Sequence, residues 1–455
     1  EVVMAEIRTS SAYDVRIVSV LLETDRLAGT TYEIGPSVSE INIFENVDLP
    51  YLTGNILIED TTQLSTNISF QGTERIIIQL TMNGDDTSDV VKKTFVTTDM
   101  KVVPAHDTAE VYNINLIEEI AYLNRLVTVS KAYSGKPETI ISKIFRDNLN
   151  TDVDVPESFQ ESAVPPLKVI VPNISPLAAA RWVKDRMVTA NGMPFFLYST
   201  LNGPRPYLVD LEYMLSDETI RNRNRPYRYG QSFNRFSAGQ PIDVQARNIE
   251  SYKMPKAENM FKLAASGALN STYEYHDTTR EIDARFSSVK VNMGDVLDRM
   301  ESAGIITPEQ RGSIYDKEFT INDKTIAEYN PSVLTQIAPS NTYSYFANYY
   351  ESPDVEQHKL KAISRAVRYY LLKSPMELSM PGYDFLGRGP NITIGTQIMV
   401  EFLSNNPDIV GGVGEVLDRR RSGKYMIYAM RHIIRPEKYM VSMMCTKLAN
   451  QKQST

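Results

Sequence analysis

One cysteine, four histidines and one tryptophan in 455 residues leave little room for several kinds of chemistry. Cys445 has no second cysteine to pair with, so no disulfide framework of the secreted kind holds this chain. His106, His276, His358 and His432 are far apart in sequence and have no neighbouring cysteine, which argues against zinc. No apolar run reaches the roughly 20 residues a helix needs to cross a bilayer. Residues 1–10, EVVMAEIRTS, lack the basic stretch and the apolar stretch of a signal peptide. Positive charge is also short: 48 Lys and Arg face 56 Asp and Glu, for a net charge of −8. A protein whose main work is wrapping nucleic acid or coating an anionic membrane needs the opposite balance.

Catalytic signatures are missing as well. Gly135-Lys136 is followed by Pro137 and Gly423-Lys424 by Tyr425, so neither opens a phosphate loop. Gly387 and Gly389 match the first half of a dinucleotide fingerprint, but Ile392 stands where its last glycine belongs. There is no G-x-S-x-G elbow and no H-E-x-x-H zinc motif. Glu59-Asp60 and Glu118-Glu119 are adjacent carboxylates in strand text. Neighbours on a strand point to opposite faces, so neither pair is a ready acid/base couple for glycoside cleavage. Cys445 lies among apolar residues and reads as a buried structural thiol, because a reactive one needs an exposed electropositive site. His432, alone in a strand, reads as packed or interfacial. The sequons at Asn67, Asn270 and Asn391 carry little weight without a secretion signal. No catalytic, cofactor-binding or metal-binding residue is assigned, no cofactor is expected, and the chain is not read as an enzyme.

What is present is β text, twice. The chain is 42% hydrophobic and 23% charged, as ordinary globular proteins are, and its length suggests about three domains. Period-two patterning runs through Tyr13–Val20, Val38–Val47, the GNILIED segment, Glu74–Met82, Val91–Thr97, Tyr112–Leu116 and Arg125–Tyr133. Ile140, Ile141, Ile144, Phe145 and Leu149 then line one helix face behind Pro137. A second helix is expected from Ser175 as N-cap and Pro176 at its first position, with Asn191-Gly192 as its C-cap. The text from Pro194 to Leu211 around Asn202-Gly203-Pro204 reads as a hairpin. β patterning returns over Ile242–Tyr252 and Phe286–Met293. Helical text fills Asp295–Ala303 and Val355–Leu372. Strands are expected again over Met376–Met380, Gln397–Leu403, Lys424–Ile434 and Lys438–Leu448, the last two forming a hairpin about Arg435-Pro436-Glu437.

Three surface features stay open between contact and solvation. Arg221–Tyr229 (RNRNRPYRY) is basic and aromatic, and in an acidic chain its default is a solvated or interfacial loop. Arg419-Arg420-Arg421 either meets an acidic partner or keeps a loop soluble. The tyrosines between Tyr343 and Tyr350 either dock onto a neighbour or pack in a core.

Three stretches together resemble one family. Ile41–Leu80 (INIFENVDLPYLTGNILIEDTTQLSTNISFQGTERIIIQL) has a strand, a Pro-containing turn, an I-x-I-x-D strand and a Gly-x-Glu turn into an Ile-rich strand. Ser175–Thr200 (SPLAAARWVKDRMVTANGMPFFLYST) has a helix, a turn and an aromatic strand. Ser422–Leu448 (SGKYMIYAMRHIIRPEKYMVSMMCTKL) is a closing hairpin. In this order they resemble the central baseplate hub proteins of contractile-tailed, T-even-like bacteriophages, a family related to the N-terminal part of type VI secretion spike proteins.

The resemblance implies an α+β, mainly β fold: two tail-tube-like β-barrel domains joined by a small α+β domain, with a helical insertion in the second barrel region. The implied boundaries are 1–133 for the first barrel, 134–215 for the α+β domain and 216–293 for the start of the second barrel. A mainly helical insertion over 294–372 and the remainder of the second barrel over 373–455 follow. It implies a homotrimeric ring that adapts a three-fold spike to a six-fold tail tube. The partners would be the central spike protein on one face, tube or tube-initiator proteins on the other, and other baseplate proteins. DNA would be only a transient passenger through the centre, and no stable membrane association is expected. The location would be the tail baseplate of the virion, after synthesis in the host cytoplasm. A tube initiator or other tube-like baseplate component is the alternative, and a cell-wall glycan hydrolase is a third reading.

Overall fold

The computed structural model describes residues 11–24, 30–60, 70–82, 90–106, 109–220 apart from 158, 160 and 165, 222, 225–230, 241–254, 270–276, 286–311 apart from 309, 320–325, 328–329, 332–336, 355–371, 375–387, 393–403, 417–418, 421–436 and 438–447.

The first β text folds into β1 (Arg16–Thr24), β2 (Thr30–Glu33), β3 (Val38–Asn46), β4 (Thr53–Asp60), β5 (Arg75–Thr81), β6 (Val91–His106) and β7 (Ala109–Glu118). Along β4 the buried Gly54, Ile56, Ile58 and Asp60 alternate with Thr53, Asn55, Leu57 and Glu59, so one face meets the core and the other does not. Gly54 is required at its place: a Cβ there would lie 2.5 Å from the Asn42 carbonyl oxygen of β3.

The helical text after Pro137 forms the Pro137–Leu149 helix, and all five predicted inward residues are buried. It ends on Asn150, whose φ of 51° is a left-handed stop. Around it lie β8 (Ala132–Gly135) and β9 (Leu167–Ile170), an antiparallel pair, and the hairpin of β10 (Phe195–Tyr198) with β11 (Tyr207–Asp210). Ile140, Phe145, Val183 and Phe195 belong to a second hydrophobic cluster, while the other face of the β10–β11 hairpin, Phe196, Tyr198, Tyr207 and Val209, joins the main core.

The remaining strands are β12 (Tyr227–Tyr229), β13 (Ser251–Lys253), β14 (Asn270–His276), β15 (Phe286–Asn292), β16 (Thr320–Ile321), β17 (Lys324–Thr325), β18 (Ser332–Gln336), β19 (Pro375–Pro381), β20 (Gln397–Phe402), β21 (Gly423–Arg435) and β22 (Lys438–Thr446). The predicted closing hairpin is β21–β22, with Arg435 opposite Lys438. β14, β15 and β18 form a separate sheet in which β18 runs parallel to β14. Helices Met293–Ser302 and Val355–Leu371 occupy the two predicted helical segments. The first begins with a reciprocal cap between Asn292 and Asp295.

The two β regions are one sheet. Its order is β13-β19-β22-β21-β3-β4-β7-β6-β5-β1-β2, with β20 joined to β21 and β12 to β20. The join is the antiparallel pairing of β21 with β3, from Ala429 opposite Asn46 to Ile434 opposite Ile41. The fold is therefore mainly β around a large antiparallel sheet, with seven α-helices among the described residues.

Several local expectations are corrected. Arg125–Tyr133 is strand only at its end, where Val129 bridges to Ile174 and Ala132 and Tyr133 enter β8: the chain first turns helical at Glu119–Leu126, because Ile120 and the partly buried Leu123 sit at helical spacing against the second cluster. Ile242–Tyr252 is mostly not strand either. Pro241 introduces a helical turn over Ile242–Gln245, Asn248 makes a single bridge to Arg228, and the strand proper is Ser251–Lys253. The helix begun at Pro176 stops at Lys184, well before Asn191-Gly192, because Arg186 and Met187 donate to the Val183 and Lys184 carbonyls in tighter three-residue turns. Gly192 instead takes φ +80° in a turn closed by its amide on the Thr189 carbonyl.

Ser175 holds the N-cap position as expected, yet its hydroxyl caps nothing. The Leu177 amide donates to Asn124 Oδ1 at 2.8 Å, so the cap comes from another helix, 53 residues upstream. Asn124→Ala should therefore cost about 1 kcal/mol in urea unfolding, and Ser175→Ala clearly less, because only Asn124 satisfies the orphan amide. Equal costs would count against this assignment.

Candidate functional site

Three places gather polar side chains. The first is a cleft of about 360 Å³ between β6, the Glu119–Leu126 helix, residues 149–151 and the β10–β11 connection. It holds Glu118 and Glu119. Glu118 Oε2 accepts from the Leu52 amide at 2.7 Å and Oε1 lies 3.3 Å from Lys93 Nζ. Lys93 also donates to the Gly203 carbonyl at 2.7 Å. Glu119 turns outward to Arg75 at 3.1 Å. Each carboxylate is matched by its own cation, and they do not face one another across the cleft. This arrangement joins elements and does not resemble an acid/base couple. Glu59 and Asp60 also diverge, one exposed and the other buried.

The second place is the inner side of the β3–β21 seam. Ile41, Ile43 and Glu45 point inward from β3, and Met430, His432 and Ile434 from β21. Glu45 and His432 are both shut off from solvent. Glu45 Oε1 accepts from the Leu201 amide. His432 Nε2 lies 3.2 Å from the same oxygen, an ion-pair distance, but its direction does not make a hydrogen bond, and Glu45 Oε2 has no hydrogen-bond partner among the described residues. His432 Nδ1 is 2.7 Å from the Tyr439 hydroxyl. Buried polar groups left partly unsatisfied are expensive, so the pair specifies more than it stabilises. Slipping β21 by one residue would turn His432 outward and strand Glu45 in the core, so the pair disfavours every neighbouring register.

On the outer side of the seam the polar groups are satisfied. Glu40 accepts from Arg435 Nε and Asn42 Nδ2, both at 2.7 Å, and Arg431 Nε donates to Asn42 Oδ1 at 2.9 Å. Burial alone would raise the Glu40 pKa, but these hydrogen bonds and the Arg435 and Arg431 charges hold it below its ordinary value. The polar row continues in register through Asn42, Asn55, Asn115 and Asp99.

The third place is the short connection after β3. The Val47 amide donates to the Tyr428 carbonyl of β21. Asp48 accepts from the Tyr428 hydroxyl and lies 3.3 Å from Arg368 of the Val355–Leu371 helix. The Leu49 carbonyl accepts from the Ser199 amide beside β10. Arg368 also donates to the Phe195 carbonyl and sits 4.6 Å from the Phe196 ring. Three consecutive residues thus hold both halves of the sheet, the smaller unit and the long helix together.

Lys184 is 4% exposed beside this junction, 3.5 Å from Asp185. Burial first, and then the Arg368 charge, push its ammonium down to about 8 from 10.5. Below about pH 8 both folded and unfolded chains hold that proton, and the full cost of burying the charge is felt. Between about 8 and 10.5 only the unfolded chain keeps it, so stability rises with pH. Lys184→Met should raise stability near pH 7 by roughly 1–3 kcal/mol, with the gain shrinking as pH approaches about 9.5. A gain that is flat across this range, measured by chemical denaturation, would show that the ammonium is not its source.

The remaining sequence candidates fall as follows. Cys445 is fully buried, and burial pushes its thiol far up, which leaves it inert. Arg225 pairs with Asp243 at 3.0 Å and Arg228 with Glu401 at 2.7 Å, while Tyr227 is buried against Phe385, so the described part of RNRNRPYRY, residues 222 and 225–229, is interfacial, and Arg221, Arg223 and Asn224 lie outside the described residues. Arg421 pairs with Asp418, whereas Arg419, Arg420, Tyr343–Tyr350, Asn67 and Asn391 lie outside the described residues, as do the side chains of Asn270, His106, His276 and His358. Among the described residues no three His, Cys, Asp or Glu side chains are grouped to hold a metal. Glu45, Asp48 and Arg368 were not singled out from the sequence. A signal existed for Glu45, since period two aligns it with Ile41 and Ile43 and so points it inward.

No protein-family model matches the chain, and no curated protein matches it. Solved structures do. The tail protein from Neisseria meningitidis MC58 is similar with a TM-score of 0.53 at 10% identity, over 96% of this chain and 97% of that one. The 43 kDa tail protein of prophage MuSo2 from Shewanella oneidensis is similar with a TM-score of 0.50 at 10% identity, over 94% and 98%. A chain of the Francisella PdpA–VgrG complex is matched at a TM-score of 0.42 and 8% identity, over 97% of this chain and 59% of that one. At these identities the likeness is one of architecture: this chain has the fold of two tail proteins along nearly its whole length.

Proposed function

We propose that this protein is a structural component of a phage tail, namely the baseplate hub: a homotrimeric ring that joins a three-fold spike to a six-fold tail tube around a passage for DNA. The observation that carries the reading is the shared sheet. Two β regions of one chain stand edge to edge across β3 and β21, which supports reading each copy as two tube-like units, so that three copies would offer six. Residues 1–133 supply the first unit, and 216–293 with 373–455 the second. Residues 134–215 form the α+β domain between them, which its separate hydrophobic cluster supports. Residues 294–372 are the insertion.

The fold likeness to two tail proteins supports the tail assignment, and with it a place in the virion after synthesis in the host. The outer face of the seam suits the wall of a passage, because its arginines are already bound to Glu40 and Asn42 and its neighbours are asparagines, which leaves little charge free to grip a sliding polyanion. No bond is made or broken in this role. The ring would meet the spike on one face and tube, tube-initiator or other baseplate proteins on the other. Among the described residues no helix is long and apolar enough to cross a membrane, and no stable membrane association is proposed.

Light scattering of the purified protein with its spike partner should include a species of three copies, about 154 kDa from three times 51.4 kDa. A strictly monomeric protein would defeat the proposal. A six-fold species would move the chain to the tube-initiator class.

A further inference from the structure

The chain is acidic overall, yet one surface is strongly cationic. It lies along the Val355–Leu371 helix beside the turns that follow the Pro176–Lys184 helix. Leu360 shares a core cluster with Val183 and Met187, and the Gly192 turn lies against Leu360 and Ile363. Lys361, Arg365 and Arg368 are at i, i+4 and i+7 of the long helix and so share one face. Each is partly exposed. Near them lie Lys184 and Arg186: burial first, and then the Arg368 charge on Lys184 and the Arg186 charge on Lys361, disfavour the protonated lysines.

Among the described residues the anions do not balance this set. Asp48 is shared between Arg368 and the Tyr428 hydroxyl, and Asp185 between Arg181 and Lys184. Arg186 stacks over the Trp182 ring at 4.1 Å and donates to its carbonyl at 2.6 Å. Lys361 and Arg365 have no ion-pair or hydrogen-bond partner among the described residues. Like charges held together at low solvent exposure cost free energy that an incoming anion would relieve while the lysines stay protonated, below about pH 8.

We propose that this surface docks an acidic, extended segment of a partner protein. The spacing fits. Lys361 and Arg365 are offset by about 6 Å along the helix axis. Alternate carboxylates on an extended chain are about 6.6 Å apart on one face. An Asp/Glu-x-Asp/Glu stretch therefore matches the stripe with both carboxylates on cations, and Arg365 supplies a forked donor set that suits a carboxylate. The proposal rests on these two helices alone and is independent of the number of copies in the ring.

The test uses the full chain and a fluorescein-labelled peptide of alternating Glu and Ser, followed by anisotropy. The peptide is expected to bind at low salt, to be released at about 0.5 M salt, and to bind about tenfold more weakly to the Lys361→Glu/Arg365→Glu double variant. Lys101→Glu, an exposed control on β6, should leave binding unchanged. If the charge-reversed protein melts early, Lys361→Gln/Arg365→Gln replaces it, with at least a threefold loss expected. The proposal is overturned if the double variant binds like the wild type or if Lys101→Glu weakens binding equally. It also falls if the peptide fails to bind while a DNA duplex binds through the same two residues. Self-association lost in the double variant without any peptide binding would assign the surface to contacts between copies instead.

Discussion

The pairing of β21 with β3 is the contact on which the rest of the architecture depends. Both strands have a second partner close in sequence, β4 for β3 and β22 for β21. Each hairpin can form without the other. Bringing them together closes a loop of nearly the whole chain, but the entropy of closing a loop grows only as its logarithm, so the distance is no bar to stability. What it governs is rate, since long-range strand pairing comes late. Unpaired, β3 and β21 would both be bare edges rich in Ile and Met, open to pairing with other chains. The seam therefore removes two liabilities while forming one sheet.

That seam is also where register is fixed. Most inward residues along it are aliphatic and would tolerate sliding. Glu45 and His432 do not, because each needs the other and Glu45 also needs the Leu201 amide. Since Leu201 belongs to the β10–β11 connection, one carboxylate aligns the sheet and seats the smaller unit on it. Val47, Asp48 and Leu49 repeat this economy at the end of β3, where Asp48 and Arg368 add the long helix. The insertion is thus fastened to the seam and to the smaller unit at once, through a side chain only partly buried. An ion pair so exposed stabilises modestly by itself; its value here is that Arg368 also holds the Phe195 carbonyl and the Phe196 ring.

Much of this was legible in the sequence where the deciding physics is local. Alternation located β3, β4 and the β21–β22 hairpin, and helical spacing placed the inward faces of Pro137–Leu149 and Val355–Leu371. Cys445 in apolar text is buried as its context implies. Errors arose where tertiary partners overrule local text. The Glu119–Leu126 helix borrows its stability from packing against the second cluster. The Pro176 helix takes its cap from Asn124 and not from its own Ser175. The seam itself has no local signature at all, since nothing in INIFEN or in YAMRHII names the other as partner. Inward-pointing polar residues are the nearest thing to one. A glutamate in phase with two isoleucines and a histidine in phase with Met430 and Ile434 each ask for a buried polar mate: Glu45 takes the Leu201 amide, His432 the Tyr439 hydroxyl, and the two side chains end 3.2 Å apart.

The distribution of charge follows from the same organisation. On the outer face of the sheet, cations and anions lie in adjacent strands and cancel within one or two side chains, as Glu40 does with Arg435 and Arg431. Cross-strand neighbours are fixed by register, so cancellation is cheap to encode there. On the cationic surface the elements come from residues 176–184 and 355–371, and no register relates them. Lys361 and Arg365 have no ion-pair partner there among the described residues, although the chain as a whole carries eight more acids than bases. An excess of one sign that runs against the sign of the whole molecule is the feature on which the proposed docking of an acidic segment rests.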